Sequence, residues 1–246
     1  MKWSDKIKDR LIEILFPKFC FGCGKEGAYL CHDCQSCLEI LENIFCLCKR
    51  PKIILLSESS KTLGKCRACQ LKNLDGLFFP LSYQNNLVKE TIHQLKYEPF
   101  VKELAKPLAE LIIAHFFLLD NKKVWGNKIL VPIPLERKRL KQRGFNQAEE
   151  IARILSSKLN IPLLPDCLKK IKTTSPQVEL SQKERIENIK GAFGIEKPNL
   201  IQNKKILLVD DIYTTGATME EAARILKEAG AKEVWGVVVA REPLPN

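Results

Sequence analysis

The feature that most limits the fold of this 246-residue chain is a short segment near its C-terminus. An apolar run at 206–209 is followed directly by Asp210 and Asp211, then by a loop of small residues, and then by a helical pattern from Met219. The loop consists of Thr214, Thr215, Gly216, Ala217 and Thr218. Phosphates bind at helix starts because free N–H groups and the helix dipole meet there, and glycine lets the backbone approach. The segment therefore predicts a buried strand, a phosphate-binding loop and a helix.

This segment resembles the fingerprint of type I phosphoribosyltransferases, which bind phosphoribosyl pyrophosphate (PRPP). The resemblance implies that Asp210 and Asp211 face the ribose hydroxyls and that residues 214–218 wrap the 5′-phosphate. It also implies Mg²⁺ that arrives with the pyrophosphate, so no magnesium cage made by the protein alone is expected. Phosphate binding does not imply turnover, and no catalytic residue is assigned. The alternative is an ordinary strand–turn–helix with a threonine N-cap.

Helical and strand-like patterns alternate through the rest of the chain after its first quarter. The predicted helices cover 86–97, 101–119, 147–158 and 219–229. The predicted strands cover 77–83, 128–133, 204–209 and 234–240, whereas the polar, lysine-rich segment 166–198 is expected to be a mobile excursion beside the site. Apolar strands separated by helices are typical of βαβ units. We therefore predict an α/β fold with a parallel sheet flanked by helices.

A basic segment follows the predicted strand 128–133. Its candidate contacts for pyrophosphate or nucleic acid are Arg137, Lys138, Arg139 and Arg143. Such residues neutralise a pyrophosphate or follow a nucleic-acid backbone. On the basic residues alone, a solvated turn is the simpler interpretation.

The residues that follow carry a more specific resemblance. Arg143, Gly144, Phe145, Asn146, Gln147 and Ala148, in this order, resemble the signature of the ComF family. Further residues that fit blocks of that family are His93, Leu95, Lys96, Tyr97, Thr174, Gln177, Leu180, Arg185, Asn188, Gly191, Ala192 and Phe193. The resemblance covers 16–241 and implies a double zinc ribbon in front of a type I phosphoribosyltransferase fold.

Nine of the ten cysteines lie between Cys20 and Cys69. Eight form close pairs, which are Cys20 and Cys23, Cys31 and Cys34, Cys46 and Cys48, and Cys66 and Cys69. Two such pairs make a tetrahedral thiolate site for structural Zn²⁺. The first two and the last two pairs form the most economical sites, but interleaved pairs are equally allowed. Cys37 is surplus and is expected to be a buried thiol rather than a ligand.

The predicted divisions are an N-terminal helix in 1–18, a double zinc ribbon in 19–72 and a phosphoribosyltransferase-like domain in 73–246. No signal-peptide pattern or membrane-span pattern is found, so we expect a cytoplasmic protein whose cysteines bind metal. The net charge of +11 is consistent with an anionic partner and equally with simple solubility.

Three functions are compatible with these features. The family resemblance implies a factor in natural transformation that binds PRPP and handles single-stranded DNA during DNA uptake, with a competence helicase as a further partner. The second function is an active phosphoribosyltransferase on a nucleobase or nucleotide. The third is a non-catalytic regulator that senses PRPP. The phosphate loop serves all three, and no base-binding hood is evident in the sequence.

Overall fold

The computed structural model describes residues 15–54, 64–119, 125–173 and 181–242. The predicted N-terminal helix at 4–15 lies outside this part of the chain, apart from Leu15, and so do Thr174, Gln177 and Leu180. Among the described residues, no helix combines the length and apolar character needed to cross a membrane.

The helices and strands of the described residues alternate after the cysteine-rich region. The helices are His32–Ser36 (α1), Asn86–Lys96 (α2), Ala105–Leu118 (α3), Arg137–Arg143 (α4), Gln147–Leu159 (α5), Gln182–Ile189 (α6) and Ala217–Glu228 (α7). The strands are Ile44–Phe45 (β1), Ile53–Ile54 (β2), Gly76–Phe78 (β3), Leu81–Ser82 (β4), Ile129–Pro132 (β5), Leu168–Lys170 (β6), Phe193–Ile195 (β7), Lys205–Val209 (β8), Ile212–Tyr213 (β9), Glu233–Val237 (β10) and Ala240–Arg241 (β11).

The central sheet has the strand order β3-β10-β8-β5, and all its neighbouring strands are parallel. Side chains alternate across it because successive strand residues point to opposite faces. Leu207 and Val209 pack in one hydrophobic core with α2, α3 and α5, whereas Ile206 and Leu208 pack in a second core with α7. The result is a three-layer α/β/α arrangement in which β8 is buried on both faces.

Three of these strands continue, after a short irregular step, into a second parallel sheet with the order β4-β11-β9. We call this step the seam; it consists of residues 79–80, 210–211 and 238–239. The seam is held by backbone hydrogen bonds, since the Asp210 N–H donates to Val237 (3.0 Å) and the Val239 N–H donates to Asp211 (3.0 Å). It lies at the carboxyl ends of the strands, where open α/β sheets bind their ligands.

The four long predicted helices and the strands at 128–133 and 204–209 are confirmed, with small shifts at their ends. The predicted strand at 234–240 is split by the seam into β10 and the start of β11. The predicted strand at 77–83 is split by the seam into β3 and β4. The described part of the polar segment 166–198 forms α6 and the antiparallel pair β6 and β7. A capping box between Ser181 and Glu184 begins α6.

Candidate functional site

The acid pair lies in the seam directly after β8. Asp211 is almost fully buried, and its Oδ1 forms an ion pair of 2.7 Å with Nζ of Lys96 at the end of α2. Its Oδ2 is buried and has no hydrogen-bond partner within the described part of the chain. Asp210 is more open, and its Oδ1 accepts a hydrogen bond from the Asp211 N–H (2.9 Å). The two neighbouring carboxyls therefore have different surroundings. Asp211 is held by its ion pair with Lys96, whereas Asp210 is more exposed.

These surroundings shift the pKa values of Asp210 and Lys96 upward. Burial and the charge of Asp211 raise the pKa of Asp210 to about 7, against the opposing effect of Lys96. Burial alone lowers the pKa of Lys96, but the carboxyls of Asp211 and Asp210 outweigh it, so this pKa lies above its ordinary value. Lys96 is thus a cation near neutral pH, and Asp210 exchanges its proton in that range.

The loop after the acid pair wraps the start of α7. Gly216 is the N-cap residue of α7 and has φ of 80°, a left-handed conformation that glycine adopts without strain. A Cβ at this position would lie 2.3 Å from the hydroxyl oxygen of Tyr213, so glycine is also required by space. The helix begins at Ala217, two residues before the predicted start, which puts Thr218 in its first turn. The N-cap is therefore glycine, not threonine, and backbone N–H groups face the loop.

The acid pair and the loop border a single cavity of about 590 Å³. All the predicted PRPP-binding residues line it, namely Asp210, Asp211, Thr214, Thr215, Gly216, Ala217 and Thr218. The end of α2 also lines the cavity, with Lys96 beside Asp211 and with His93 and Tyr97. The rings of His93 and Tyr97 lie 4.7 Å apart, and Tyr97 is 44% exposed. The loop thus gives the cavity a polar side that suits phosphate, and His93 and Tyr97 give it an aromatic side.

The predicted basic contacts divide into two groups. Arg139 and Arg143 line the cavity, together with Lys170 of β6, whereas Arg137 and Lys138 are exposed and are not among its lining residues. The segment is a helix, α4, rather than a turn, and it ends at Gly144 in a left-handed conformation. Only the first group is positioned to meet a ligand inside the cavity.

Sequence reasoning missed Lys96 and Lys170 as cavity residues. Lys96 lies in one of the blocks that resemble the ComF family, but the resemblance assigned it no role. Lys170 lies on β6, in the segment expected to be a mobile excursion beside the site. The placement of both depends on which elements reach the seam, and helical or strand periodicity does not contain that information.

The first cysteine cluster consists of Cys20, Cys23, Cys31 and Cys34, whose sulfurs all lie within 4.8 Å of one another. The Sγ atoms of Cys23 and Cys31 are 3.7 Å apart. Sulfurs that bind one tetrahedral Zn²⁺ lie about 3.8 Å apart, given Zn–S bonds of about 2.3 Å. The backbone N–H groups of Gly22 and Cys31 point at Sγ of Cys20 (3.4 Å each), which favours a thiolate. This geometry fits a closed structural zinc site.

The second cluster consists of Cys46, Cys48, Cys66 and Cys69, gathered within the same distance limit. Cys46 and Cys48 follow β1 in the antiparallel pair β1 and β2, and the Lys52 N–H donates to Sγ of Cys46 (3.2 Å). Hydrogen bonding from the Cys48 thiol lowers the pKa of Cys66 to about 6. The single residue between Cys46 and Cys48 does not prevent the four sulfurs from converging, so this cluster also fits Zn²⁺.

The structure therefore groups the cysteines in the more economical of the two arrangements left open by the sequence. All ten cysteines belong to the described residues, and none forms a disulfide. The expectation that Cys37 is buried is wrong, because Cys37 is exposed just after α1 and outside both clusters. Cys167 is buried.

Comparisons with known proteins agree with this architecture. The family model for the phosphoribosyl transferase domain matches residues 141–244. Competence protein F of Haemophilus influenzae is 39% identical over 235 residues, covering 92% of this chain and 86% of that protein. Competence protein ComFC of Bacillus subtilis is 31% identical over 219 residues, covering 84% and 81%. DNA utilization protein YhgH of Escherichia coli K12 is 33% identical over 149 residues, covering 58% and 63%.

Among solved structures, a match is found to the glutamine PRPP amidotransferase from B. subtilis complexed with ADP and GMP. Its TM-score is 0.35 at 20% identity, and the match covers 56% of this chain and 25% of that one.

The predicted fold class is confirmed: a parallel sheet flanked by helices forms a phosphoribosyltransferase domain, and the N-terminal cysteine clusters are compatible with a zinc ribbon. Two relatives above 30% identity, both named as competence proteins, are each matched over more than four fifths of their own length. The chain belongs to the ComF family.

Proposed function

We propose that this chain binds PRPP with Mg²⁺ at the cavity and handles single-stranded DNA during DNA uptake in the cytoplasm. The observation that carries the proposal is the convergence of the acid pair, the loop 214–218 and cationic side chains on one cavity. Each of these parts suits one part of PRPP.

The loop and the first turn of α7 suit the 5′-phosphate, because their N–H groups and hydroxyls donate to phosphate oxygens. Asp210 suits the ribose, because an ionised carboxylate accepts hydrogen bonds from hydroxyls. The buried Oδ2 of Asp211, which has no partner among the described residues, has capacity for one more donor. Arg139 and Arg143 supply positive charge for the oxygens of the pyrophosphate.

The DNA part of the proposal rests on relatives and on charge. The relatives are named as competence proteins and as a DNA utilization protein. In this chain, a basic ridge runs outward from the cavity; we define it as Arg137, Lys138, Arg139, Lys141 and Lys170. Burial and then the charge of Arg139 lower the pKa of Lys170, so these two cations lie near each other at the cavity. We expect the phosphate backbone of a single strand to lie along this ridge and to reach the cavity.

Calorimetric titration of PRPP with Mg²⁺ into the zinc-loaded protein tests the proposal. We expect saturable binding in the wild type and a loss of at least about tenfold in affinity in Asp210→Ala/Asp211→Ala, because the ribose contacts are removed. Lys204→Ala, at the opposite end of the sheet, is the control and should bind like the wild type. Repeating the titration with single-stranded DNA present should change the measured affinity, since the ridge and the cavity are continuous.

Absence of PRPP binding in the folded wild type would overturn the ligand assignment. PRPP binding that DNA leaves unchanged, together with no measurable DNA binding, would overturn the DNA part alone.

A second candidate function is transfer of the phosphoribosyl group to a nucleobase or nucleotide. The aromatic wall of His93 and Tyr97 favours it, because a planar base stacks on such rings beside the bound ribose. Release of pyrophosphate in the presence of a base, lost in Tyr97→Ala with PRPP affinity retained, would support transfer. Absence of turnover with every base and nucleotide tested would leave the binding function as proposed.

A further inference from the structure

The second cysteine cluster and the phosphate loop meet at one side chain, Tyr213. This residue ends β9, directly before the loop, and is 2% exposed. Its phenol oxygen lies against Gly216, where an added Cβ would approach it to 2.3 Å. A displacement of the Tyr213 ring would therefore displace the turn that begins α7, because close-packed atoms transmit movement rather than absorb it.

One arm from the cluster to Tyr213 is Arg241, the residue paired with it across β9 and β11. The guanidinium of Arg241 is buried between the rings of Tyr213 (5.3 Å) and Phe79 (5.6 Å). It donates to the backbone carbonyl of Cys46 (2.8 Å) and to that of Cys48. A buried guanidinium needs such acceptors, so its position is set by the backbone between these two cysteines.

A second arm comes from the other pair of cysteines in the same cluster. Lys72 follows Cys69 by three residues, and its N–H donates to the Cys69 carbonyl (3.2 Å). Its Nζ donates to the Tyr213 hydroxyl (3.1 Å) and lies 3.8 Å from Glu220 in α7. Both halves of the cluster thus reach the same phenol, and one of them also reaches the helix behind the loop.

The first cluster has different neighbours. It packs beside α2 and α3, where Gln35 donates to the Pro107 carbonyl (3.4 Å) and Lys18 pairs with Glu103 (2.6 Å). Its apolar residues Leu30 and Leu38 belong to the core on the opposite face of the sheet from α7. The two clusters, which have the same four ligands, therefore differ in their connection to the phosphate loop.

We propose that Tyr213, Arg241 and Lys72 are positioning residues that couple the second cysteine cluster to the phosphate loop, so that loss of its metal loosens the loop and weakens phosphate binding. The first cluster lacks this coupling and stabilises the α2 and α3 side alone. The loosening of the loop follows from the fold, whereas the effect on PRPP affinity rests on the proposed function of the cavity.

The test compares two substitutions that each remove one thiolate. Cys48→Ser removes a ligand of the second cluster and keeps the carbonyl that Arg241 uses, whereas Cys23→Ser removes a ligand of the first cluster. Bound zinc, hydrogen exchange of the backbone amides at 212–218 and affinity for PRPP with Mg²⁺ are measured on the full chain. We expect both variants to lose about one zinc ion per chain. Only Cys48→Ser should speed exchange at 212–218 and weaken PRPP binding, each about tenfold.

A second pair of measurements keeps the test decisive if Cys48→Ser folds poorly. Tyr213→Phe removes the acceptor of Lys72 but keeps the ring, and its exchange at 212–218 is measured in zinc-loaded and partly chelated protein. Chelation should change this exchange less than it does in the wild type.

Equal effects of the two cysteine substitutions on the loop, or an unchanged loop in both, would refute the coupling. If the wild type binds no PRPP, the proposed function fails, while the exchange data still decide the coupling.

Discussion

At the scale of single residues, the acid pair illustrates how neighbours in sequence acquire different roles. Asp211 is fixed by its ion pair with Lys96, whereas Asp210 faces the cavity with a pKa raised to about 7. A carboxyl with a raised pKa holds its proton more tightly in the folded than in the unfolded protein. Its contribution to stability is therefore present at low pH and is lost as the pH rises to the folded value. Near neutral pH, the raised pKa of Asp210 therefore lowers the free energy of unfolding, and it places at the site a carboxyl that gains or loses its proton in this range.

The charge of Asp210 should control PRPP binding. We expect PRPP affinity to rise between about pH 6 and about pH 8, because only the ionised carboxyl accepts two hydrogen bonds from the ribose hydroxyls. Titration calorimetry over this range measures the effect. Asp210→Asn serves as the control, since its pH dependence reports the titration of the ligand alone. A wild-type profile identical to that of Asp210→Asn would contradict the prediction.

Single residues were predicted well where chemistry and position coincide in the sequence. Asp210, Asp211 and the loop 214–218 follow an apolar strand, so their place at its carboxyl end was predictable. Tyr213 and Arg241 were not singled out, because their contacts with the cysteine-rich side join residues at least 141 positions apart in the sequence. Such contacts depend on the packing of whole elements.

At the scale of elements, the connection from β5 to α5 is tied by one side chain. Asn146 is the N-cap of α5, where its Oδ1 accepts from the Ala148 N–H (3.1 Å) and its Nδ2 donates to the Ile133 carbonyl (3.0 Å). Both bonds are buried, so the side chain joins the start of the helix to the end of the strand. The basic helix α4, which lies between them in sequence, is thereby held as a closed excursion beside the cavity.

Asn146→Ala should cost more stability than removal of an ordinary cap. We expect the free energy of unfolding to fall by about 2–3 kcal/mol, the sum of a lost cap and an unsatisfied buried carbonyl. Asn85→Ala, at the exposed N-cap of α2, is the matched control and should cost about 1 kcal/mol. Urea denaturation of both variants measures the difference. Equal costs would mean that the bond to Ile133 contributes nothing.

The elements that the sequence predicted are those with a regular apolar pattern. The helices α2, α5 and α7 bury one face, so the period of their apolar residues located them. The short helix α4 has no buried residue, and β6 and β7 have three residues each. Such segments form because the rest of the fold supports them, and their own sequence carries little periodicity.

At the scale of the whole molecule, the positive charges next to the cavity form one continuous surface, the basic ridge. The basic ridge starts with Arg139 and Lys170 inside the cavity and continues to exposed residues of α4. Lys204 and Lys232, in contrast, are exposed at the amino ends of β8 and β10, which is the end of the sheet away from the cavity. The net charge of +11 therefore does not by itself decide where a polyanion binds.

Two substitutions that change the net charge equally should separate these surfaces. We expect Arg137→Ala/Lys138→Ala to weaken binding of single-stranded DNA and to reduce its salt dependence by about 1.4 in log–log slope, since each of the two lost phosphate contacts contributes about 0.7. Lys204→Ala/Lys232→Ala should leave both unchanged. Fluorescence anisotropy at several salt concentrations measures the slopes. The prediction would be falsified if the two pairs had equal effects.

The cysteine-rich segment contributes buried side chains to the hydrophobic cores on both faces of the central sheet. Leu30 and Leu38 enter the core on the α3 face, whereas Leu47 and Leu74 enter the core on the α7 face. At the edge, the Leu41 carbonyl accepts a hydrogen bond from the buried Nδ1–H of His115 (2.6 Å), and burial lowers the pKa of that histidine to about 4. The cysteine-rich segment therefore cannot be replaced independently of the domain against which it packs. In a chimera, this segment and the core residues that it contacts on both faces of the sheet must be exchanged as one unit.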